Sequence, residues 1–372
     1  MNKQALYLAS LAVGAMKGFN AVGVRPPLVE TDDYLTGGVL DDHGRRWVVT
    51  APKTDLAAAQ LEAQAALAPE LLHELASGRL SFDVMRPSGF TVTPNGGRAV
   101  LYPEPFGRSL DFDTMNPSQA RDLGRTLGSI HGLDPDVIRR AGLPIYSAAE
   151  WRSRLGAQLE EASQAIDIPP LLRRRWENAL ALDELWNFTP RVVHGDVSAE
   201  NFLYVDDTVS CVLGFGSAHV GDPAEDLGVI TALDDDVATD IIEAYAHTGP
   251  QADESLMTRS YLMSELALVR WLLYGVHSGN DSVLSDAVGM LDDLAAQVSS
   301  DPDLAPRAVW NTDIVEEPED PSLASIDSSF DDDDSPATAA SAETEGDAEA
   351  ESEAEAKTES EPRAETLDSS DR

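Results

Sequence analysis

The sequence has little of what several classes of protein depend on. Its single cysteine, Cys211, excludes a disulfide framework and a cysteine-based metal site. The apolar neighbours Val209, Val212 and Leu213 predict that this cysteine lies on a buried strand. No stretch stays apolar for the roughly 18 residues that a membrane helix needs. We therefore expect no membrane contact and a cytoplasmic location.

Basic residues are also scarce, because 26 Lys and Arg stand against 66 Asp and Glu in 372 residues, a formal net charge of -40. Bulk electrostatics therefore exclude binding to the phosphate backbone of nucleic acids. The charge is uneven, since residues 301–372 hold 24 acidic and 4 basic side chains. The remaining body is still acidic, and it favours cationic over anionic ligands unless its acids serve only solubility.

Residues 301–372 lack the periodic apolar pattern of helices and strands. They include the run DDDD at 331–334 and few aromatic residues, so they cannot bury enough surface to offset the loss of chain entropy. We predict that this acidic tail is disordered. A block of like charge is typical of a segment that contacts a basic partner protein.

The first apolar stretch, residues 4–16 after Lys3, bears a weak likeness to a secretory signal peptide. Ser10 and Gly14 interrupt it, and a single lysine precedes it. We therefore predict a helix that packs on the folded domain.

Residues 1–105 read mainly as strands. The predicted strands are a short one at 22–27, ended by two prolines, and two hairpins at 33–41 with 45–52 and at 89–94 with 98–105. Between the hairpins, Thr54 or Asp55 can cap a helix that begins at Leu56.

Residues 106–300 read mainly as helices around a small pair of strands. The predicted helices are 116–131, 149–164, 170–186, 223–231, 235–247, 256–278 and 283–299, and the strands are 191–196 and 202–215. This order predicts an α+β fold with two lobes, an N-lobe at 1–105 and a C-lobe at 106–300 followed by the tail at 301–372. The cleft between the lobes is expected near residues 103–107.

The most informative stretch is HGDVSAEN at 194–201, followed after a hairpin by FGSAHVGDPAEDLG at 215–228. This pair of motifs resembles the catalytic region of the aminoglycoside and macrolide phosphotransferase family. Residues 45–53 and 123–135 agree with it, and the likeness is strongest to macrolide 2'-phosphotransferases of actinobacteria. The resemblance covers roughly residues 1–300. It implies a two-lobe protein-kinase-like fold and an enzyme that transfers the γ-phosphate of ATP or GTP to a hydroxyl of a small cationic molecule.

The resemblance also implies roles for single residues. Asp196 would be the catalytic residue, which accepts or orients the proton of the substrate hydroxyl. Asn201 would offer an amide oxygen to Mg²⁺, a hard cation that prefers oxygen ligands. His194 would brace the loop by hydrogen bonds, and Asp222 and Asp226, at a helix start, would support it. Turn chemistry alone is the alternative explanation for a loop aspartate or asparagine.

On the nucleotide side, the resemblance places Lys53 and Glu62 near the bound phosphates. The phosphate-binding lysine or arginine of the family is expected near the end of the third strand, where Thr50 stands here. Lys53 follows three residues later, beyond Pro52. Glu62, on the following helix, is equally explained as an exposed helix acid.

A second departure concerns the metal site, because Gly214 in VLGFGSA replaces the aspartate that is the main Mg²⁺ ligand of the family. Mg²⁺ would then keep Asn201, water and nucleotide oxygens, unless Glu200 substitutes. A catalytically weak or inactive pseudokinase, acting as a binding or regulatory module, is therefore the alternative to an active enzyme.

The substrate wall of the family comes from helices of the C-lobe, here about 149–186 and 256–298. Aromatic residues on or near these helices either line that wall or belong to the core: Tyr146, Trp151, Trp176, Trp186 and Trp271.

Overall fold

A computed structural model describes residues 3–300, and the predicted tail at 301–372 lies outside them. The strands in the described range are β1 Ala21–Glu30, β2 Tyr34–Asp41, β3 Arg46–Pro52, β4 Asp83–Val84, β5 Gly89–Val92, β6 Arg98–Pro103, β7 Arg108–Ser109, β8 Arg191–Val193, β9 Phe202–Val205, β10 Thr208–Val212 and β11 His219–Gly221. The α-helices are α1 Lys3–Ala15, α2 Asp55–Ala76, α3 Pro117–His131, α4 Asp136–Ala141, α5 Ala148–Ala165, α6 Pro170–Ala181, α7 Ala224–Gly228, α8 Asp235–Thr248, α9 Leu256–Ser278 and α10 Asp281–Ser300.

Five antiparallel strands form the sheet of the first lobe, in the order β1-β2-β3-β6-β5. Both predicted hairpins are present in it. The first strand was predicted to end at Pro27, and this was wrong, because β1 continues to Glu30. A proline interrupts a central strand, but β1 lies at the sheet edge and its register shifts between Arg25 and Leu28, where prolines are tolerated.

The two faces of this sheet have different partners. Helix α1 packs on one face, where Leu8 and Ala12 share a buried cluster with Val39, Val49 and Leu101. The predicted packing of the first apolar stretch on the domain is thereby confirmed. The opposite face carries a smaller cluster against α2, formed by Leu61, Val100 and Tyr102.

Helix α2 begins where the sequence predicts. The Thr54 hydroxyl accepts a hydrogen bond from the Ala57 N–H at 3.1 Å, which satisfies one of the free donors of the first turn. Helix α3 is capped by Asn116, whose side chain accepts from the Ser118 and Gln119 N–H groups at 2.9 and 3.0 Å.

The strands of the second lobe pair differently from the prediction. β9 and β10 form the expected hairpin around Asp206 and Asp207. β8, however, ends at Val193 and pairs with β11, which sets the two sequence motifs side by side. The predicted helix 170–186 also stops early at Ala181, because Leu182 is extended (φ -80°, ψ 102°) before a short 3₁₀ turn.

The core of the second lobe absorbs most of the candidate aromatic residues. Trp151, Trp176 and Trp186 are buried in it, whereas Trp271 is 39% exposed and stacks on Tyr274 with ring centroids 5.4 Å apart. Cys211 is buried on β10 as predicted, and burial raises its pKa to about 12. Within residues 3–300, no helix combines the length and apolarity that a membrane crossing requires.

Candidate active site

Asp226 holds the main chain of the loop that carries Asp196. It is buried in α7 and accepts hydrogen bonds from the N–H groups of His194 and Gly195 at 2.7 and 2.8 Å. His131 Nε2 lies 3.0 Å from the same carboxylate. Burial opposes the ionisation of Asp226, but the His131 side chain and the His194 main chain hold its pKa below the usual range. The loop backbone is therefore fixed by a charged group.

Gly195 is required by the shape of this loop. Its φ is +78°, a left-handed conformation that glycine adopts without strain. A Cβ atom at this position would also lie 2.5 Å from the Ser217 carbonyl oxygen. The chain thus turns directly before Asp196, which explains why β8 stops earlier than predicted.

The His194 ring braces the loop from inside. Its Nδ1 accepts a hydrogen bond from the Asp196 N–H at 3.2 Å, and its Nε2 lies 2.6 Å from the Leu213 carbonyl oxygen. A carbonyl can only accept, so these contacts require the tautomer with the proton on Nε2. With both nitrogens occupied and the ring buried, His194 has the bracing geometry that the sequence suggests.

Two residues behind Asp226 were not predicted. His131 ends α3, and its Nδ1 lies 2.9 Å from the Tyr245 hydroxyl of α8. The two buried rings meet edge to face with centroids 5.4 Å apart. His131 could have been singled out from the sequence, because it lies within residues 123–135, which resemble the phosphotransferase family. Tyr245 lies on an ordinary amphipathic helix and has no comparable signal.

Asp222 ties the second motif to α9. Both of its carboxylate oxygens accept from Arg259, at 2.7 Å from Nε and 3.1 Å from Nη2, and both side chains are fully buried. Arg259 also donates to Asp253 and to the Leu185 carbonyl oxygen. A buried carboxylate needs such a partner. Sequence reasoning missed Arg259, because nothing on a long helix distinguishes one arginine from another.

Asp196 itself is exposed, in contrast to the groups that hold its backbone. Its negative charge acts on Tyr34, at the start of β2 in the first lobe. Burial, together with the negative charges of Asp33 and Asp196, raises the pKa of the Tyr34 phenol. The charge of Asp196, on the second lobe, is therefore sensed by a side chain of the first lobe.

Asn201 lies against Asp196 and Gly214. Its amide Nδ2 donates to the Asp196 carbonyl oxygen at 2.8 Å and to Asp196 Oδ2 at 3.0 Å. Gly214 has a φ of +75°, and a Cβ atom built there would lie 2.5 Å from the amide carbon, nitrogen and oxygen of Asn201. A side chain at position 214 would therefore point at Asn201.

The donors around Gly214 do not fit the magnesium site that the family resemblance implies. Mg²⁺ requires near-octahedral oxygen ligands, usually including carboxylates. Here the Asn201 amide nitrogen faces the one adjacent carboxylate, and position 214 supplies no oxygen. Among the described residues, the group of three acidic or histidine side chains close enough to share an ion is Asp41, buried at the end of β2, with the exposed Asp42 and His43 of the following turn.

Thr50 occupies the sheet face that carries the α2 contacts. It pairs with Val100 across the sheet, and its hydroxyl accepts a hydrogen bond from the Thr36 hydroxyl at 3.2 Å. Because residues directly opposite each other on neighbouring strands point to the same face, Thr50 lies on the face of Val100, which packs against Leu61 of α2. The position at which the family has a lysine or arginine is thus occupied by Thr50, whose hydroxyl is hydrogen-bonded to the Thr36 hydroxyl.

Lys53 and Glu62 have different partners. Lys53 Nζ donates to the Thr31 carbonyl oxygen at 2.6 Å and to Glu30 Oε1 at 3.1 Å. Glu62 accepts from Arg98 Nε at 2.6 Å, and this hydrogen bond lowers the pKa of Glu62. The structure thus sets Lys53 beside the β1–β2 loop and Glu62 beside β6.

Glutamines, not Glu62, link α2 to the rest of the cleft. Gln60 accepts a hydrogen bond from the Tyr34 hydroxyl at 2.7 Å and donates to the Ser217 hydroxyl at 3.3 Å. Gln64 donates to the Tyr102 hydroxyl at 3.2 Å. These residues were not predicted, since neutral glutamines on a helix carry no charge signal.

The β1–β2 loop crosses from the first lobe to the second. Asp33 accepts a hydrogen bond from the Tyr274 hydroxyl of α9 at 3.0 Å, and Asp32 accepts from Asn280 Nδ2 at 2.9 Å. Two acids therefore stand at this side of the cleft, Asp33 tied to α9 and Asp32 to the turn between α9 and α10.

Comparison with known proteins agrees with this arrangement. Residues 36–256 match the phosphotransferase enzyme family. Viomycin phosphotransferase from Streptomyces vinaceus is 28% identical over 263 residues, which cover 66% of this chain and 86% of that protein.

Two solved structures share the fold. The apoenzyme of macrolide 2'-phosphotransferase MphH from Brachybacterium faecium is 22% identical, with a TM-score of 0.62 over 74% of this chain and 94% of that one. The GDP and kanamycin complex of APH(2")-IIIa is 18% identical, with a TM-score of 0.65 over 78% and 99%. The expected two-lobe, kinase-like α+β fold is thereby confirmed. By its motifs, its fold and the extent of the family match, this chain belongs to the phosphotransferase enzyme family and is a small-molecule phosphotransferase.

Proposed function

We propose that this chain transfers the γ-phosphate of ATP or GTP to a hydroxyl group of a small cationic molecule, with Asp196 as the catalytic residue. The observation that carries the proposal is the contrast at Asp196, whose backbone is fixed through Asp226 while its carboxylate is exposed. Rigid support and an accessible carboxylate are what a proton acceptor at a reacting hydroxyl needs.

In this mechanism the substrate hydroxyl donates a hydrogen bond to the Asp196 carboxylate. As the hydroxyl oxygen forms its bond to the γ-phosphorus, the bond from that phosphorus to the β-bridging oxygen breaks. The hydroxyl proton passes to Asp196, and the nucleoside diphosphate leaves with the bonding electron pair. His194 keeps Asp196 in place through the Asp196 N–H.

The cationic character of the substrate is supported from two sides. Kanamycin is the second ligand in the APH(2")-IIIa complex. In this chain, Asp32 and Asp33 stand where the β1–β2 loop meets α9, beside the stacked pair Trp271 and Tyr274. Carboxylates next to aromatic faces are the usual surroundings of a bound cation. The nucleotide is the cofactor in this proposal, and no step depends on a metal at position 214.

The test is incubation of the full chain with ATP or GTP and with viomycin, kanamycin or a macrolide, followed by mass spectrometry of the products. We expect a phosphorylated product, and we expect Asp196→Asn to lower kcat by about a thousandfold, the usual scale for loss of a general base. Asp113→Asn, which changes an exposed aspartate of a short 3₁₀ helix elsewhere in the second lobe, is the control and should retain activity. Equal rates for Asp196→Asn and the unchanged chain would exclude this role.

The alternative function is that of a pseudokinase, a protein with the kinase-like fold that binds ligands without catalysis. It is suggested by Gly214 and Thr50, which stand where the family has a metal ligand and a phosphate-binding basic residue. The same assay separates the two functions, because such a module binds nucleotide and yields no phosphorylated product.

A further inference from the structure

We infer that Asn201 is a positioning residue for Asp196 and not a metal ligand, and that Gly214 makes nucleotide binding by this chain independent of divalent cations. The inference rests on the proposed function in one respect, namely that the cleft binds a nucleotide. It goes beyond that function, because it assigns a role to the position at which the chain departs from its family.

The first step is the orientation of the Asn201 amide. Its two contacts, at 2.8 and 3.0 Å, are the carbonyl oxygen and the carboxylate of Asp196. The carbonyl oxygen can only accept a hydrogen bond, so the NH₂ group must face it, and the carboxylate oxygen accepts from the same nitrogen. The main chain of Asn201 is held as well, by its N–H to the Ser198 carbonyl and by the Leu213 N–H to its own carbonyl. Asn201 therefore presents a fixed donor to the catalytic carboxylate.

The second step is the space above Gly214. A Cβ atom built on Gly214 would lie 2.5 Å from Cγ, Nδ2 and Oδ1 of Asn201, closer than side chains approach one another in proteins. A side chain there would force the amide to swing away and would break its bond to Asp196. Glycine at 214 is thus what allows Asn201 to turn toward Asp196.

The third step is the charge at this end of the cleft. The strand position expected for a cation carries Thr50, and Lys53 is already bound to Glu30 and to a carbonyl oxygen. A complex of Mg²⁺ and nucleotide would therefore find no carboxylate ligand at position 214, and Lys53 already has hydrogen-bond partners.

The experiment is calorimetric titration of the full chain with ADP and with GDP, each in Mg²⁺ and in EDTA. For the unchanged chain we expect affinities that differ by less than about threefold between the two media. For Gly214→Asp we expect Mg²⁺ to raise the affinity by about tenfold or more, because a carboxylate then joins the Asn201 amide oxygen. Gly142→Asp is the matched control, since Gly142 has a similar φ of +72° but open space around it.

A second variant tests the positioning role. We expect Asn201→Ala to lower kcat by about tenfold to a hundredfold, because one oriented hydrogen bond to the catalytic group is lost. We expect its nucleotide affinity in Mg²⁺ to stay within about threefold of the unchanged chain. A metal ligand would show the reverse, a Mg²⁺-dependent loss of nucleotide affinity.

The outcomes separate this inference from the proposed function. A tenfold gain with Mg²⁺ for the unchanged chain overturns the inference, and this comparison needs no variant to fold. Failure of a folded Gly214→Asp chain to gain Mg²⁺ dependence, including absence of binding in both chains, also overturns it. If only Gly214→Asp with Mg²⁺ binds nucleotide, position 214 is correctly assigned and the proposed function fails for the natural chain.

Discussion

At the scale of single residues, Asp226 connects the two sequence motifs. Its carboxylate accepts from two consecutive main-chain N–H groups and contacts His131, whose other nitrogen contacts Tyr245. The Asp226 carboxylate thus connects the loop that carries Asp196 with α3 and, through His131, with α8. Its removal should lower both the free energy of unfolding and the catalytic rate.

We expect Asp226→Asn to reduce the free energy of unfolding by about 3 kcal/mol, because the amide presents an NH₂ group toward buried donors. The activity should fall with it, since the loop that carries Asp196 loses its anchor. Urea unfolding and kcat are the measurements. Asp234→Asn is the control, an exposed aspartate whose side chain caps no N–H of α8. A loss below about 1 kcal/mol for Asp226→Asn would mean that the anchor is dispensable.

The sequence was most informative for residues inside the motifs. His194, Asp222 and Asp226 were expected to support the loop, and the structure places all three in buried hydrogen bonds. Their partners His131 and Arg259 come from helices distant in the chain. His131 lies in a segment with the family likeness, but its contact with Asp226 could not be derived, because a local pattern does not encode which helix faces a motif.

At the scale of elements, local signals located most helices and hairpins, and pairing at long range was the weak point. Helix α9 begins and ends where the apolar period predicts. The partner of β8 was misassigned, because three-residue strands carry no register information of their own. Prolines likewise suggested an end to β1 that its edge position does not require.

The loop between β1 and β2 is the element whose contacts are easiest to loosen. Tyr274→Phe removes the hydrogen bond to Asp33 and leaves the stacked ring in place. We expect hydrogen exchange of the amides of residues 31–34 to speed up by about fivefold, since one such bond stabilises by about 1 kcal/mol. Mass spectrometry of deuterated peptides is the measurement.

Tyr7→Phe on α1 is the matched control, because it removes a hydroxyl on an element that contacts the other face of the sheet. Unchanged exchange in Tyr274→Phe would show that the crossing of this loop depends on other contacts.

At the scale of the whole molecule, one buried polar cluster joins several elements of the second lobe. Glu225 Oε2 lies 3.3 Å from His219 Nε2, and the His219 ring stacks on Trp151 of α5 with centroids 4.9 Å apart. Burial raises the pKa of Glu225 to about 8, although the charges of Arg270 and Arg154 act in the opposite direction.

This shift predicts how stability depends on pH. Between about pH 4.5 and 8 the unfolded chain releases the Glu225 proton and the folded chain retains it, so its contribution to stability falls as pH rises. Glu225→Gln has no proton to release at this position, so its free energy of unfolding should gain about 3.5 kcal/mol on the unchanged chain between pH 5 and pH 8. Parallel urea titrations at both pH values are the measurement, and a constant difference between the two chains would contradict the assignment.

The edge position of β1 has a consequence for the behaviour of the protein in concentrated solution. An open sheet edge offers a row of unpaired backbone groups to which a strand of a neighbouring molecule can add. Pro26 and Pro27 both lack an N–H, so this part of β1 offers fewer donors to an added strand, and the register is already irregular there. Pro26 and Pro27 thus oppose the addition of a strand from a neighbouring molecule to this edge of the sheet.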